Sequence, residues 1–219
     1  NSSIDKNKRR LEKIKGNWEK MGKLYGIGVG PGDPELLTLK AYKILQKADV
    51  IFCPEKKKRA GSFAFDIIKE HIKDSKARIV DLEYPMHYHG DELKKMWQEN
   101  GRIISEYLKG EKTGAFITLG DPSVYSTFMY TLPYIEAFGT EIEVIPGIPS
   151  FCAAAAISRT PLTAWDEDLL VAPVRKNSPE DLTKLLKEHD NVVFMKPSSD
   201  KEALLTAIKE SGRENSFVL

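Results

Sequence analysis

Short apolar runs typical of β-strands alternate with amphipathic segments typical of helices along most of this chain. The first run, at residues 23–29, precedes a stretch at 34–48 in which apolar residues recur on one helical face. This alternation with short connections predicts an α/β fold with mostly parallel strands. Further strands are predicted at 48–53, 77–82, 114–119, 141–145, 169–174, 191–195 and 216–219, and helices at 62–73, 91–110, 122–138, from 151 onwards, 180–188 and 200–211.

The crowding of motifs near the middle of the chain predicts two α/β domains. The predicted boundary gives an N-terminal domain at 21–137 and a C-terminal domain at 138–219. Residues 1–20 are charged, poor in apolar side chains and followed by Met21, so we interpret them as a leader outside the fold. The strand-like SFVL at 216–219 has no following partner, which predicts a C-terminal domain that is truncated at its end.

Composition and charge argue against several classes of function. With 33 basic and 32 acidic residues, the net charge of +1 provides no overall field for nucleic acid. Cys53 and Cys152 are far apart and form no metal or redox motif, which is typical of a reduced, cytoplasmic protein. No apolar run has the length of a membrane span. His87 and His89 lack a third ligand, so no protein-bound metal is predicted.

A glycine-rich turn, GIGVGPGDPELLT at 26–38, follows the first predicted strand. It fits neither common nucleotide fingerprint, because Asp33 or Pro31 stands where a dinucleotide motif needs its third glycine, and Gly-Lys-Ser/Thr is absent. Asp33 before Pro34 predicts a helix N-cap, and its carboxylate would occupy the place of a phosphate. We therefore expect close approach of a ligand without phosphate. A tight, purely structural capped turn is the alternative.

Two further glycine–proline turns follow predicted strands. LGDPSVYST at 119–127 repeats the aspartate–proline pair, and a ligand outside the strand would meet the Gly120 backbone and the Asp121 carboxylate. IPGIPSFCAAAA at 145–156 predicts a rigid turn, with Ser150 as a helix cap and a thin, alanine-rich helix after it. An ordinary N-cap or close helix packing explains each feature without a ligand.

These three turns, with TPLTAWDEDLLV at 160–171 and VVFMKPS at 192–198, resemble motifs of the tetrapyrrole methylase family, the class III S-adenosylmethionine-dependent methyltransferases. The similarity extends over residues 21–219. It implies two α/β domains, S-adenosylmethionine folded into the cleft between them, and a homodimer. The segments 81–104 and 120–128 are most similar to the branch that methylates carbon 20 of precorrin-2, or of cobalt-factor II, in cobalamin biosynthesis.

The resemblance also implies site residues. Methyl transfer to an electron-rich ring carbon needs no protein nucleophile, and Tyr125 and Asp121 are candidates for taking the released proton. The carboxylates of a tetrapyrrole predict basic side chains around the cleft, from residues 56–59, Arg159 and Arg175, although a solvated loop is the favoured alternative for 56–59. The predicted cofactor-binding residues are Pro31, Leu119, Gly120, Asp121, Val124, Ser126, Thr127, Pro149, Ser150 and Met195.

Alternatives stay open within and outside the family. Another corrin position, uroporphyrinogen III, diphthine synthesis and RNA 2′-O-methylation are the alternatives within it, and the balanced charge disfavours RNA. A nucleotide-binding module is the alternative from another class, which the failed phosphate motifs disfavour. A lysine-rich, arginine-poor composition is typical of an AT-rich anaerobe, which favours cobalt-factor II over precorrin-2 as the substrate.

Overall fold

The computed structural model describes residues 20–56, 61–84, 90–174 and 177–218. The chain divides into two compact units, Asn1–Ser150 and Phe151–Leu219. The leader interpreted at 1–20 lies outside the described residues, apart from Lys20. The same holds for several candidate substrate or metal ligands, namely Lys57, Lys58, Arg59, His87, His89 and Arg175.

A five-stranded parallel sheet forms the centre of the first unit, with strand order β3-β2-β4-β1-β5. The prediction of an α/β fold with parallel strands is confirmed. The central strands are continuous apolar runs because both faces of the sheet are covered. The strands are β1 (Lys23–Gly28), β2 (Val50–Glu55), β3 (Arg78–Glu83), β4 (Thr113–Thr118) and β5 (Glu141–Ile145).

Helices cover both faces of this sheet. Along β4, Ala115 and Ile117 pack into one apolar core with helices α1 and α2. Phe116, which points the other way, packs into a second core with helices α3 and α4. The period of two residues therefore divides the apolar side chains between two cores. The helices are α1 (Leu39–Leu45), α2 (Phe63–Ile68), α3 (Asp91–Tyr107) and α4 (Thr127–Glu136).

The division between the units differs from the predicted boundary at residues 137 and 138. Strand β5 pairs with β1 over residues 141–145, in parallel register with residues 23–27. Those backbone hydrogen bonds join β5 to the first sheet, so the compact division falls after Ser150. Sequence patterning detects the strand itself but not the partner with which it pairs.

The predicted helices of the first unit are shorter in the structure, most clearly the first one. The segment 34–48 is split into a 3₁₀ turn at Pro34–Leu36 and helix α1, because Thr38 caps a new helix through the Ala41 N–H, 3.2 Å from its Oγ1. The predicted N-cap at Asp33 is confirmed, since its carboxylate accepts a hydrogen bond from the Glu35 N–H at 2.9 Å.

The second unit contains a two-stranded parallel sheet. The helices of this unit supply most of the residues of its apolar core. Val174, Leu182, Leu204 and Ala207 are buried together in it. The predicted strand at 216–219 is wrong for the described residues 216–218, which pair with no described strand. The chain turns instead after the last helix. The elements are α5 (Ser150–Ser158), β6 (Leu169–Pro173), α6 (Pro179–Glu188), β7 (Asn191–Met195), a 3₁₀ turn (Pro197–Ser199) and α7 (Lys201–Ser211).

Helix α6 begins with a reciprocal capping box. The Ser178 hydroxyl accepts from the Asp181 N–H, and the Asp181 carboxylate accepts from the Ser178 N–H at 3.1 Å. We expect Ser178→Ala to lower the free energy of unfolding by about 1 kcal/mol, because the first-turn N–H loses its acceptor. Urea denaturation measures this, with the exposed Ser198→Ala as control. Equal stabilities of the two variants would contradict it.

Candidate functional site

The candidate site lies at the carboxyl ends of β1, β4 and β5, which are neighbours in the sheet. After β1 the chain leads into α1 on one face, whereas after β4 it leads into α4 on the other face. Adjacent strands whose connections leave in opposite directions create a crevice, and open α/β sheets bind ligands there. The three glycine–proline turns predicted from sequence all lie at this edge.

Glycines bring the three turns into backbone contact. A Cβ atom on Gly147 would lie 2.1 Å from the Gly120 carbonyl oxygen and 2.7 Å from the Gly28 carbonyl carbon. Gly30 and Gly120 also exchange two backbone hydrogen bonds, at 2.8 and 3.3 Å. Since no side chain fits between these segments, only glycine permits this packing. The sequence patterns do not mark Gly28 and Gly147 as positions of close contact, although Gly28 ends β1 and Gly147 follows β5.

The Asp121 carboxylate connects two of these turns. One oxygen accepts from the Gly147 N–H at 3.0 Å, and the other accepts from the Ser123 N–H at 2.8 Å and from the Ser123 hydroxyl. Burial disfavours its ionised form, but the hydrogen bonds from Ser123 and Gly147 outweigh this and hold the pKa of Asp121 below its ordinary value. The expected N-cap role is therefore wrong. Asp121 closes a local turn and bonds to the turn after β5.

Helix α4 begins six residues after Asp121, with Ser126 as its N-cap. The Ser126 side chain is buried, lies 3.0 Å from the Thr118 hydroxyl and accepts from the Phe128 N–H at 3.1 Å. Its hydroxyl therefore fixes the start of the helix against β4. The predicted helix at 122–138 is wrong in its first five residues, because the residues before Ser126 form turns.

Several predicted cofactor-binding residues are accessible at this edge. Leu119 is 48% exposed directly after a strand whose last five residues are buried, and Tyr125 is 38% exposed. Tyr125 also has a backbone φ of +48°, a strained conformation for a residue with a Cβ atom, and such strain is concentrated at functional sites. The half-buried residues here are Pro31, Gly120, Val124, Thr127 and Pro149, and the exposed Ser150 is the first residue of α5 rather than its cap.

A buried contact that sequence analysis missed supports the same helix. The Tyr84 hydroxyl lies 2.9 Å from the Thr131 hydroxyl, which donates to the Thr127 carbonyl at 3.0 Å. Burial raises the pKa of Tyr84, so the phenol stays protonated. A tyrosine directly after strand β3 is the only signal in the sequence for this contact. It holds the first turn of α4, where Thr127 lies.

Met195 is placed in the second unit, at the end of β7. It is half-buried and is followed by Lys196, whose φ of +57° lies in the left-handed region.

In the described part of the chain, no three His, Cys, Asp or Glu side chains are grouped as a metal site needs. Among the described helices, none combines the length and apolar character required to cross a bilayer.

Comparison with known proteins decides to which family this chain belongs. Residues 23–218 match the family described as Tetrapyrrole (Corrin/Porphyrin) Methylases. The chain belongs to the tetrapyrrole methylase family. This confirms the resemblance found in the sequence motifs.

Individual tetrapyrrole methylases cover most of this chain. The probable cobalt-precorrin-2 C(20)-methyltransferase of Methanocaldococcus jannaschii is 41% identical over 182 residues, 83% of this chain and 75% of that protein. The cobalt-precorrin-2 C(20)-methyltransferase of Salmonella typhimurium is 32% identical over 80% of this chain and 73% of its own length. The solved structure of cobalt precorrin-4 methyltransferase, CbiF, has a TM-score of 0.64 at 27% identity, covering 88% of this chain and 76% of that one.

Proposed function

We propose that this tetrapyrrole methylase transfers a methyl group from S-adenosylmethionine to carbon 20 of precorrin-2 in its cobalt-containing form, in cobalamin biosynthesis. The observation that carries the proposal is the 41% identity to a relative named for that reaction. A second relative with the same reaction name supports it. A relative named precorrin-2 C(20)-methyltransferase, without cobalt, is 30% identical, so the cobalt-containing substrate is favoured.

The residues at the carboxyl edge fit S-adenosylmethionine better than a phosphate-bearing nucleotide. Asp33 occupies the start of the 3₁₀ turn after β1, and Pro31 offers no backbone donor. Leu119, Val124 and Pro149 supply apolar surface for an adenosine group. Because the glycines in these turns have no side chains, a ligand can lie directly against the backbone. We infer that these residues, together with Ser150 and Met195, bind the cofactor.

The cofactor supplies a sulfonium methyl group. The protein binds the cofactor and the substrate, orients them for methyl transfer and excludes water. The turns around Gly28, Gly120 and Gly147 suit the task of orienting the reactants, because their close packing leaves the backbone little freedom to move. Asp121 has a lowered pKa and both oxygens in hydrogen bonds, so it is a weak base for the proton released from the ring. Tyr125, accessible and strained, is the better candidate for contacting the substrate near its reacting carbon.

Two further features of the proposal concern the substrate and the assembly. Lys56 is exposed at the end of β2, on the carboxyl side of the first sheet, where a cation meets substrate carboxylates. We also infer a homodimer and a cytoplasmic enzyme.

Cofactor binding is tested by isothermal titration calorimetry. We expect S-adenosylhomocysteine to bind, and ATP and NAD to give no heat, because the described turns at the carboxyl edge of the first sheet form no phosphate cradle. Leu119→Asp removes apolar surface at the edge, and we expect it to weaken binding of S-adenosylhomocysteine by about tenfold or more. The equally exposed Tyr130→Asp on α4 serves as control. Binding of ATP or NAD in place of S-adenosylhomocysteine would overturn the methylase assignment.

A further inference from the structure

Lys196, the first residue after strand β7, has a backbone conformation that is unfavourable for two reasons. Its φ of +57° and ψ of +52° lie in the left-handed region, which is sterically unfavourable for a residue with a Cβ atom. It also precedes Pro197, and a proline ring pushes the residue before it towards extended backbone, with a ψ of about +120° to +160°. Lys196 is therefore strained, and strained residues are concentrated at functional sites.

Hydrogen bonds on both sides of Lys196 hold this conformation. The Met195 carbonyl accepts from the Val174 N–H at 3.1 Å, and the Lys196 carbonyl accepts from the Ser199 N–H at 3.0 Å. The second bond closes the 3₁₀ turn at Pro197–Ser199, and such a bond constrains the residues inside the turn rather than the one before it. The lysine side chain is thus carried by fixed backbone, which lowers the entropy cost of binding a ligand.

Arg159 has a similar φ, of +54°, for an ordinary structural reason. It lies directly after helix α5. The Arg159 N–H donates to the Ala156 carbonyl at 3.2 Å, and the Thr160 N–H donates to the Ala155 carbonyl at 3.0 Å. These two bonds form a Schellman motif, in which the residue after the helix is left-handed. Helix termination therefore explains the φ of Arg159, whose expected contact with substrate carboxylates stays a prediction. Lys196 follows a strand and has no such explanation.

The side chain of Lys196 offers a cation at the carboxyl edge of the second sheet. Strands β6 and β7 are parallel, so both end at this edge, where open α/β sheets bind ligands. Lys196 is exposed and pairs with no carboxylate among the residues that the structure describes, whereas Lys184 of the same unit lies 3.7 Å from Glu188. An ammonium group that is not neutralised within the fold is suited to bind an anionic group of a ligand.

We propose that Lys196 is a specificity-determining residue of the methyl transfer, which binds a carboxylate of the tetrapyrrole substrate. The inference rests on the proposed function and adds to it a residue that recognises the substrate. The tetrapyrrole carries several carboxylates at its periphery. S-adenosylmethionine also carries a carboxylate, but Met195, proposed above to bind the cofactor, is half-buried whereas Lys196 is exposed. The exposed position favours the larger of the two ligands.

Steady-state kinetics with cobalt-precorrin-2 and saturating S-adenosylmethionine, under anaerobiosis, test this contact. We expect Lys196→Met to raise KM for cobalt-precorrin-2 about tenfold and to leave kcat unchanged, because the lysine binds the substrate but takes no part in the displacement. Lys196→Arg keeps the cation and most of the affinity. An unchanged KM in Lys196→Met, or an equal rise in Lys196→Arg, would overturn the proposal.

Lys209→Met is the matched control for the loss of an exposed lysine from the second unit. Lys209 lies near the end of α7. Arg213 joins that end of the helix to the residues before β7, since it donates to the His189 and Asp190 carbonyls at 2.8 and 2.9 Å. Lys209 is therefore near the opposite edge of the sheet, and we expect its variant to keep the wild-type KM. An equal rise of KM in the Lys196 and Lys209 variants would contradict a specific contact.

Thermal unfolding tests the backbone strain without any substrate. Lys196→Gly removes both the cation and the Cβ atom, so we expect it to raise KM as Lys196→Met does. We also expect it to melt about 2 °C or more above Lys196→Met, because glycine adopts a positive φ without steric cost. A Lys196→Gly variant that melts at or below the temperature of Lys196→Met would show that the lysine is not strained, and would overturn the inference.

Calorimetry with S-adenosylhomocysteine separates this inference from the proposed function. We expect Lys196→Met to bind S-adenosylhomocysteine as the wild type does. Weaker binding would assign Lys196 to the carboxylate of the cofactor and overturn its assignment to the substrate. A wild type that binds no S-adenosylhomocysteine and methylates nothing overturns the proposed function and this inference with it. An active wild type whose KM is unchanged in Lys196→Met overturns this inference alone.

Discussion

Gly147→Ala is expected to destabilise the first unit by about 3 kcal/mol or more, the upper end for overpacking, and to abolish cofactor binding. Its added methyl group would lie 2.1 Å from the Gly120 carbonyl oxygen and 2.7 Å from the Gly28 carbonyl carbon, so the turns after β4 and β5 must separate. Backbone at the end of two sheet strands has little room to move. Urea denaturation followed by circular dichroism, with calorimetry for binding, measures both effects.

Gly120→Ala is the matched control, because it adds a methyl group that makes no close contact and so measures the loss of stability from backbone conformation alone. The φ of Gly120 is +64°, but a Cβ atom there would have its nearest neighbour at 3.8 Å. We therefore expect a cost of only about 1–2 kcal/mol, from left-handed backbone alone. Equal losses for the two variants would show that backbone packing at Gly147 has no special weight in the fold.

Asp121→Ala is the second change with a large expected effect. It removes the acceptor of the Gly147 N–H and of the Ser123 N–H, so we expect a loss of about 1–3 kcal/mol in unfolding free energy and weaker S-adenosylhomocysteine binding. Asp121→Asn keeps the shape but can accept only one of the two bonds, so its loss is smaller. Full wild-type stability and affinity in Asp121→Ala would contradict the role of this carboxylate.

The pH dependence of the same variants tests the charge on Asp121. Its pKa in the folded protein is lowered below the ordinary value of 3.8, so the ionised form stabilises the fold at pH above 3.8. That contribution is lost as the pH falls through the lower folded pKa. Wild type and Asp121→Asn should therefore differ in stability at pH 7 and converge in strong acid. A difference that is constant with pH would mean that the charge contributes nothing.

Sequence patterning predicted seven of the strands because each is a short apolar run between turn residues. It placed the glycine–proline turns at strand ends, since Gly-Asp-Pro begins two residues after β4 and Pro-Gly directly follows β5. It misjudged Asp121, because an aspartate before proline has the same local pattern whether it caps a helix or closes a turn. The helix begins at Thr127 because Ser126 finds a partner in Thr118, on a different element.

Long-range packing explains what patterning left out. The contacts of Gly28 with Gly120 and Gly147 join residues about a hundred positions apart, which no local rule detects. Likewise, β5 belongs to the first unit because it pairs with β1, so the units divide after Ser150 and not at the predicted boundary. The strand expected at 216–219 looked like the others in composition, but a strand needs a neighbour with which to exchange hydrogen bonds. Composition alone does not supply one.

The most direct test of the proposed function is to locate the transferred methyl group. The wild-type chain is incubated under strict anaerobiosis with S-adenosylmethionine carrying a ¹³C-methyl group, and with cobalt-precorrin-2, cobalt-factor II or metal-free precorrin-2 in separate reactions. Nuclear magnetic resonance then identifies the labelled carbon of the product. We expect a single methyl group at carbon 20, formed faster on a cobalt-containing substrate. Faster turnover of metal-free precorrin-2 would contradict the substrate preference, and a label at another position, or none with any of these substrates, would contradict the carbon-20 assignment itself.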